Sequence, residues 1–224
     1  MTSRRRVSRL EMRLFALTLL AASAWLGGCG GSLLQSDEPV PATYRLTTPS
    51  PAVANTAAAA AAGTLGITVA RPRAAASLDT DRIAVVEPGR RFDYYAGVRW
   101  SEPAPQMLQQ ALVAALFGSG RFDGVFAAPT RVPAELLLDV ELRRFEADTS
   151  AAGTPVVHVQ VQASLIDGRR AGRVTSFLSD ASVSAFANRR ADIIDAFDKA
   201  NAQVVADVVA RVGAATAALP DVTP

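Results

Sequence analysis

A chain of 224 residues with 23 basic and 21 acidic side chains, one cysteine and one histidine excludes several classes of function at once. A disulfide framework needs a second cysteine, and a multi-histidine metal centre needs a second histidine. The formal charge of +2 is too small for a nucleic-acid footprint, and its sign belongs to the N-terminal segment alone.

That segment carries Arg4, Arg5, Arg6, Arg9 and Arg13 against a single Glu11, and then an apolar stretch over residues 14–25. A membrane span needs roughly 20 apolar residues, whereas an export signal has a core of ~7–15. Leu26, Gly27, Gly28 and Cys29 follow. They meet the requirements of lipoprotein signal peptidase: an aliphatic residue, two small residues that let the extended backbone lie close to the protease, and a thiol to be acylated. Residues 1–28 therefore read as a lipoprotein signal peptide. Cys29 reads as the new N-terminus, with diacylglycerol on its sulfur and a palmitate-like acyl chain on its amino group. An ordinary secretory signal or an uncleaved anchor would leave a lone free thiol in an oxidising compartment, which disfavours both. Several acyl chains on one residue exceed the two-signal minimum for stable anchoring. Gly30, in place of the aspartate that marks inner-membrane retention, points to the outer membrane, with the domain facing the periplasm. The Ser3-Arg4-Arg5 run leaves the choice between general and twin-arginine export open.

Cleavage removes five arginines and one glutamate, so the mature 196 residues carry a net charge of −2. Residues 29–63 then comprise the lipidated N-terminus, a small polar tether over 30–40, a short strand near 43–47 and an alanine-rich loop. The folded domain is expected over 64–213, with a C-terminal tail at 214–224 that frays from Thr216 onward. Within the domain, Leu65, Ile67 and Val69 alternate with small or polar residues, the period-2 mark of a strand. Residues 81–87 and 91–98 form two more strands, a hairpin across Pro88-Gly89-Arg90. Ser101 is the N-cap expected for a helix whose apolar side is Met107, Leu108, Ala111, Leu112, Ala115 and Leu116, stopped by Gly118 and Gly120. Alternation returns over 135–146, over Val157 to Leu165, and over 173–185 after the Asp167-Gly168 turn. A long helix over 188–212 clusters Ile193, Ile194, Phe197, Val204, Val205 and Val208. The fold class is α/β: a mixed, mostly antiparallel sheet with two main helices packed on its oily face.

No catalytic constellation emerges, and no enzyme, metal site or cofactor is expected beyond the acyl chains on Cys29. Gly118-Ser119-Gly120 lacks the spacing of a nucleophile elbow, and His158 lies mid-strand among exposed glutamines. The run of residues 91–100 stands out, because Tyr94, Tyr95, Arg99 and Trp100 are the residue types that anchor protein interfaces. They are the candidate partner-binding residues. Core packing is the stronger reading for Trp100, and the two readings are nearly even for the others.

The ordered set Ser77-Leu78-Asp79-Thr80-Asp81-Arg82-Ile83, Tyr94-Tyr95, Arg99-Trp100, Met107-Leu108 and Ser119-Gly120-Arg121-Phe122, behind a lipobox, resembles the ABC-type transport auxiliary lipoprotein family. These are PqiC-like lipoproteins that accompany MCE-domain transport systems. The likeness spans roughly residues 44–209, with the alanine-rich insertion before Gly63 as its departure. It implies a non-enzymatic α/β component working with a periplasmic MCE protein, a permease and an ATPase that move lipids or other hydrophobic substrates across the envelope. Self-association stays open. A lipid-binding carrier or chaperone, and more remotely a hydrolytic lipoprotein using Ser119 and His158, are the competing functions.

Overall fold

The computed structural model describes residues 40–47, 65–170 and 172–219, so Leu26, Gly27, Gly28, Cys29 and the alanine-rich loop lie outside the described residues. Among the described residues nine strands and two α-helices follow one another: β1 (Ala42–Tyr44), β2 (Gly66–Val69), β3 (Arg73–Ala74), β4 (Arg82–Glu87), β5 (Arg91–Trp100), α1 (Ala104–Gly118), β6 (Gly124–Ala127), β7 (Leu136–Asp148), β8 (Val156–Asp167), β9 (Gly172–Ser184) and α2 (Arg190–Ala217). The strand-and-helix class is the one the periodicity implies.

The 13-residue β7 organises the sheet. On one side it pairs antiparallel with β8, which pairs antiparallel with β9. On its other side three shorter strands run parallel to it in succession: β2 beside Leu136–Leu138, β3 beside Glu141 and Leu142, and β4 beside Glu146–Asp148. Outside these, β6 extends β2, while β5 and then β1 extend β4. The long ladders are antiparallel and the short ones parallel. One end of the sheet holds the starts of β2, β6 and β7; the other holds the end of β7, the β4–β5 hairpin and the end of β9.

Alternation places Leu136, Leu138, Val140 and Leu142 on the buried side of β7, and Val157, Val159, Val161, Ala163 and Leu165 on that of β8. Both helices cover this face. The 28-residue α2 lies over β8 and β9 and touches α1, which sits over β2 and β6. Trp100, Phe145 and Phe197 meet where sheet and α2 join, with centroids 5.0–5.7 Å apart; the indole meets both phenyl rings edge to face, within the spacing of favourable aromatic pairs.

Three details correct the sequence reading. Ser101 does not cap α1: its N–H donates to the Tyr44 carbonyl at 2.7 Å, and Pro103 stands at the cap position without a side-chain bond. Pro105 is harmless in the first turn, where its missing N–H would have no helical acceptor. The second helix, expected to close at about Val212, continues through Ala217, because Val212 and Gly213 are buried and the Arg121 side chain packs over Gly213. A strand over Gly124–Ala127 adds to β2 where no element was expected. At the other end of α1, Gly120 adopts φ +63, the left-handed conformation that ends a helix.

Candidate functional site

The aromatic stretch of β5 divides between the two faces of the sheet. Val98 and Trp100 point into the core, and Trp100 is 1% exposed. Trp100 is therefore a packing residue and no partner can reach it in the folded domain. Arg99 points outward and lies 3.5 Å from Asp81. Between the pairs Ala84↔Tyr94 and Arg82↔Arg99, β5 advances five residues while β4 advances two. The surplus forms a bulge around Gly97, whose φ of +69 suits glycine. This bulge explains why simple alternation fails for the two tyrosines.

Tyr94 lies with Phe92 edge to face, at 5.5 Å between centroids, and beneath the Arg82 guanidinium, 3.7 Å from its ring centre. Its hydroxyl donates to the Ser77 carbonyl at 3.0 Å. Tyr95 instead lines an apolar groove with Tyr44, Ile83, Val98, Ile193 and Ile194, and Arg190 stands at the same groove. Burial, and then the Glu87 carboxylate, push its phenol above the ordinary range, so it stays protonated. Its hydroxyl has no hydrogen-bond partner among the described residues. The structure thus exposes Arg99, half-buries both Tyr94 and Tyr95, and removes Trp100. Two residues that sequence reasoning missed also shape this domain. Gln109 is buried on α1, and its amide donates to the carbonyls of Val69 at 3.0 Å and Ala128 at 2.9 Å, which clips the helix to the ends of β2 and β6. Arg190 was unremarkable in the sequence, since only the fold carries it to β5.

The wet face holds the one histidine. His158 Nδ1 lies 2.8 Å from Ser182 Oγ, and its Nε2 is 4.0 Å from an Asp148 oxygen. This superficially suggests a Ser/His/Asp set. However, 4.0 Å is too long for a hydrogen bond, and the Asp148 carboxylate already accepts the Ser150 N–H at 2.8 Å. Ser119, the other serine considered, donates its hydroxyl to Leu116 at the end of α1. Among the described residues there is no group of three His, Cys, Asp or Glu side chains placed to hold a metal.

Burial and the nearby Arg144 lower the pKa of His158, more than Asp148 and Glu146 raise it. Bonds from Ser150 hold Asp148 low. At Asp167, burial raises the pKa but is outweighed by bonds from Arg169 and by its charge. The unfolded chain therefore binds protons before the folded one does, so stability falls with acidification. For His158 the loss begins near the ordinary imidazole value of about 6.5, and the carboxylates add theirs as pH falls from their ordinary range. Thermal unfolding is expected to shift downward between about pH 7.5 and 5.5, and His158→Gln should flatten that interval. A wild-type unfolding temperature that rises on acidification would contradict this arrangement.

A family model described as the ABC-type transport auxiliary lipoprotein component matches residues 44–209. The chain belongs to this family. It is an auxiliary-lipoprotein family of transport systems, not a family of enzymes. The auxiliary lipoprotein shares its fold with a Xanthomonas campestris protein of family DUF330, at 25% identity and a TM-score of 0.69, covering 78% of this chain and 96% of that one. An uncharacterised protein of known structure gives a TM-score of 0.60 at 12% identity, over 78% and 99% of the two chains, which is a likeness of fold alone. No curated protein matches the sequence. Among the described residues no helix is long and apolar enough to cross a membrane.

Proposed function

We propose that this auxiliary lipoprotein is held by acyl chains on Cys29 in the outer membrane and docks the periplasmic MCE protein of an ABC-type system that moves lipids or other hydrophobic substrates. The observation that carries the reading is the family match across residues 44–209. Docking is favoured over carrying because the apolar groove at Tyr95 is only about 10 Å³ in volume, while the larger cleft of about 390 Å³ beside Arg45, Thr47, Ser101, Glu102 and Gln110 is lined mainly by polar groups unsuited to a lipid chain. Ligand pockets run to roughly 300–1,000 Å³, and the apolar faces of sheet and helices are spent on each other. Of the sequence candidates, Arg99, exposed on the outward face of β5, is the residue proposed to meet the partner, with the permease and ATPase engaged through it.

Eleven residues separate Cys29 from Pro41, so the tether reaches at most about 40 Å and the partner does the rest of the spanning. Deleting residues 30–40 is expected to impair transport while leaving the unfolding temperature of the domain unchanged. The checks are a transport-dependent envelope-permeability assay and thermal unfolding of the purified variant. Undiminished transport by a stably produced variant would overturn the docking reading.

A further inference from the structure

The chain between Cys29 and the sheet has a defined point of arrival. Strand β1 runs parallel to β5, with Ala42 opposite Val98 and Tyr44 opposite Trp100. Residues before Ala42 therefore leave the sheet beside Gly97, toward the end where β5 begins. At that place the Arg190 guanidinium donates to the Ala96 carbonyl at 3.5 Å, which brings the start of α2 over β5. Four residues upstream, in the connection from β9 to α2, Phe186 is 86% exposed. Phe92, next to the β4–β5 turn, is 39% exposed. Two large apolar rings thus stand in water at the end of the sheet from which the N-terminal chain departs.

This end of the sheet is zwitterionic, like a phosphatidylethanolamine headgroup layer, since Asp93 and Asp148 stand there beside the arginines. Glu87 neutralises Arg91, and Asp192 neutralises Arg189. Arg90 and Arg190 form no salt bridge among the described residues. Phenyl rings enter the boundary between headgroups and acyl chains, and arginine pairs with phosphate oxygens there. The opposite end of the domain is distant. The 28 residues of α2 run from one end of the sheet to the other, about 42 Å. The tether reaches about 40 Å only when fully extended, so holding that far end at the membrane would cost the chain nearly all of its conformational freedom.

We propose that the sheet end carrying Phe186 and Phe92, with Arg90 and Arg190, lies against the phospholipid surface and fixes the orientation of the domain on its membrane. The proposal rests on the acylation of Cys29. Oriented in this way, the domain turns the starts of β2, β6 and β7 away from the bilayer.

Trp100 is the only tryptophan after residue 28 and is buried, so the mature protein offers a quiet background for an added reporter. Phe186→Trp places that reporter at the proposed contact. Phe117→Trp places it at the far end, where Phe117 is 70% exposed at the close of α1. The full acylated protein is reconstituted into vesicles of phosphatidylethanolamine and phosphatidylglycerol, with and without bromine on the acyl chains. Brominated lipid is expected to cut the emission added by Phe186→Trp by about twofold and to leave that of Phe117→Trp unchanged. Vesicle flotation is measured on the same samples. Protein that floats while both reporters are quenched alike, or while Trp at 186 is not quenched, overturns the orientation and leaves the anchor standing. Protein that does not float overturns the anchor and the orientation with it.

Discussion

Replacing Trp100 by alanine is expected to cost about 3–5 kcal/mol of stability, the largest single loss among the residues of the aromatic stretch. The indole is 1% exposed and packs on Phe145 at 5.7 Å and Phe197 at 5.1 Å, so it joins β5, β7 and α2 at one point. Truncation removes the ring from all three and leaves a cavity bounded by a sheet and a helix that cannot close on it freely. For a domain whose total stability is about 5–15 kcal/mol, this is a large fraction. Urea denaturation should show a lower midpoint with an unchanged slope, the sign that stability and not the exposed area has changed. Trp100→Phe should recover most of the loss. It keeps an aromatic ring in the cluster and removes an indole N–H that has no acceptor among the described residues. Arg99→Ala is the contrast, since an exposed pair at 3.5 Å contributes at most about 1 kcal/mol. Should Trp100→Ala leave the midpoint in place while Arg99→Ala moves it, the assignment of core and surface along β5 is reversed.

That assignment shows how far the sequence could be read. Where side chains alternate without interruption, as from Val157 to Leu165, the buried set follows from period-2 spacing and the structure agrees at every position. The same holds for Ile193, Ile194, Phe197, Val204, Val205 and Val208, which share one side of a 3.6-residue helix. Alternation carries no information on which strands are neighbours. The succession of β2, β3 and β4 along one edge of β7 is a tertiary fact, and it makes those ladders parallel. Strands as short as Arg73–Ala74 and Gly124–Ala127 have too few residues to display a period. In β5 the bulge at Gly97 breaks the register between Tyr94 and Arg99, so counting outward from Trp100 misplaces the tyrosines. The alanine-rich close of α2 is a different failure. Alanine has the best intrinsic helix propensity, and with Val212 and Gly213 buried there was no physical reason for the helix to stop at about residue 212. The partner-binding candidates were legible as residue types, while their accessibility depended on that bulge and on the path of α2.

Replacing Cys29 by alanine is expected to abolish incorporation of radiolabelled palmitate and to leave the signal sequence attached. Both effects follow from one chemical dependence. The diacylglyceryl group must be on the thiol before the peptidase cuts between Gly28 and Cys29, and the amino group that takes the further acyl chain exists only after the cut. The variant should therefore run as the longer chain, with residues 1–28 still present. Its membrane association is not informative by itself, because the uncleaved apolar stretch over residues 14–25 can hold it at the inner membrane. A second variant resolves this: Cys29→Ser behind an ordinary cleavable export signal should be released from spheroplasts as a soluble protein. Residues 41–224 form a compact unit of their own, so its unfolding temperature should equal that of the acylated protein in detergent. Loss of the anchor removes all of the roughly 0.8 kcal/mol per buried methylene that each acyl chain contributes, and among the described residues no helix is long and apolar enough to cross the membrane in its place. The contact proposed for Phe186 and Phe92 is far weaker, and it orients a domain already held at the surface. Palmitate label on Cys29→Ala, or a mature N-terminus at any residue other than Cys29 in the wild type, would refute the anchor.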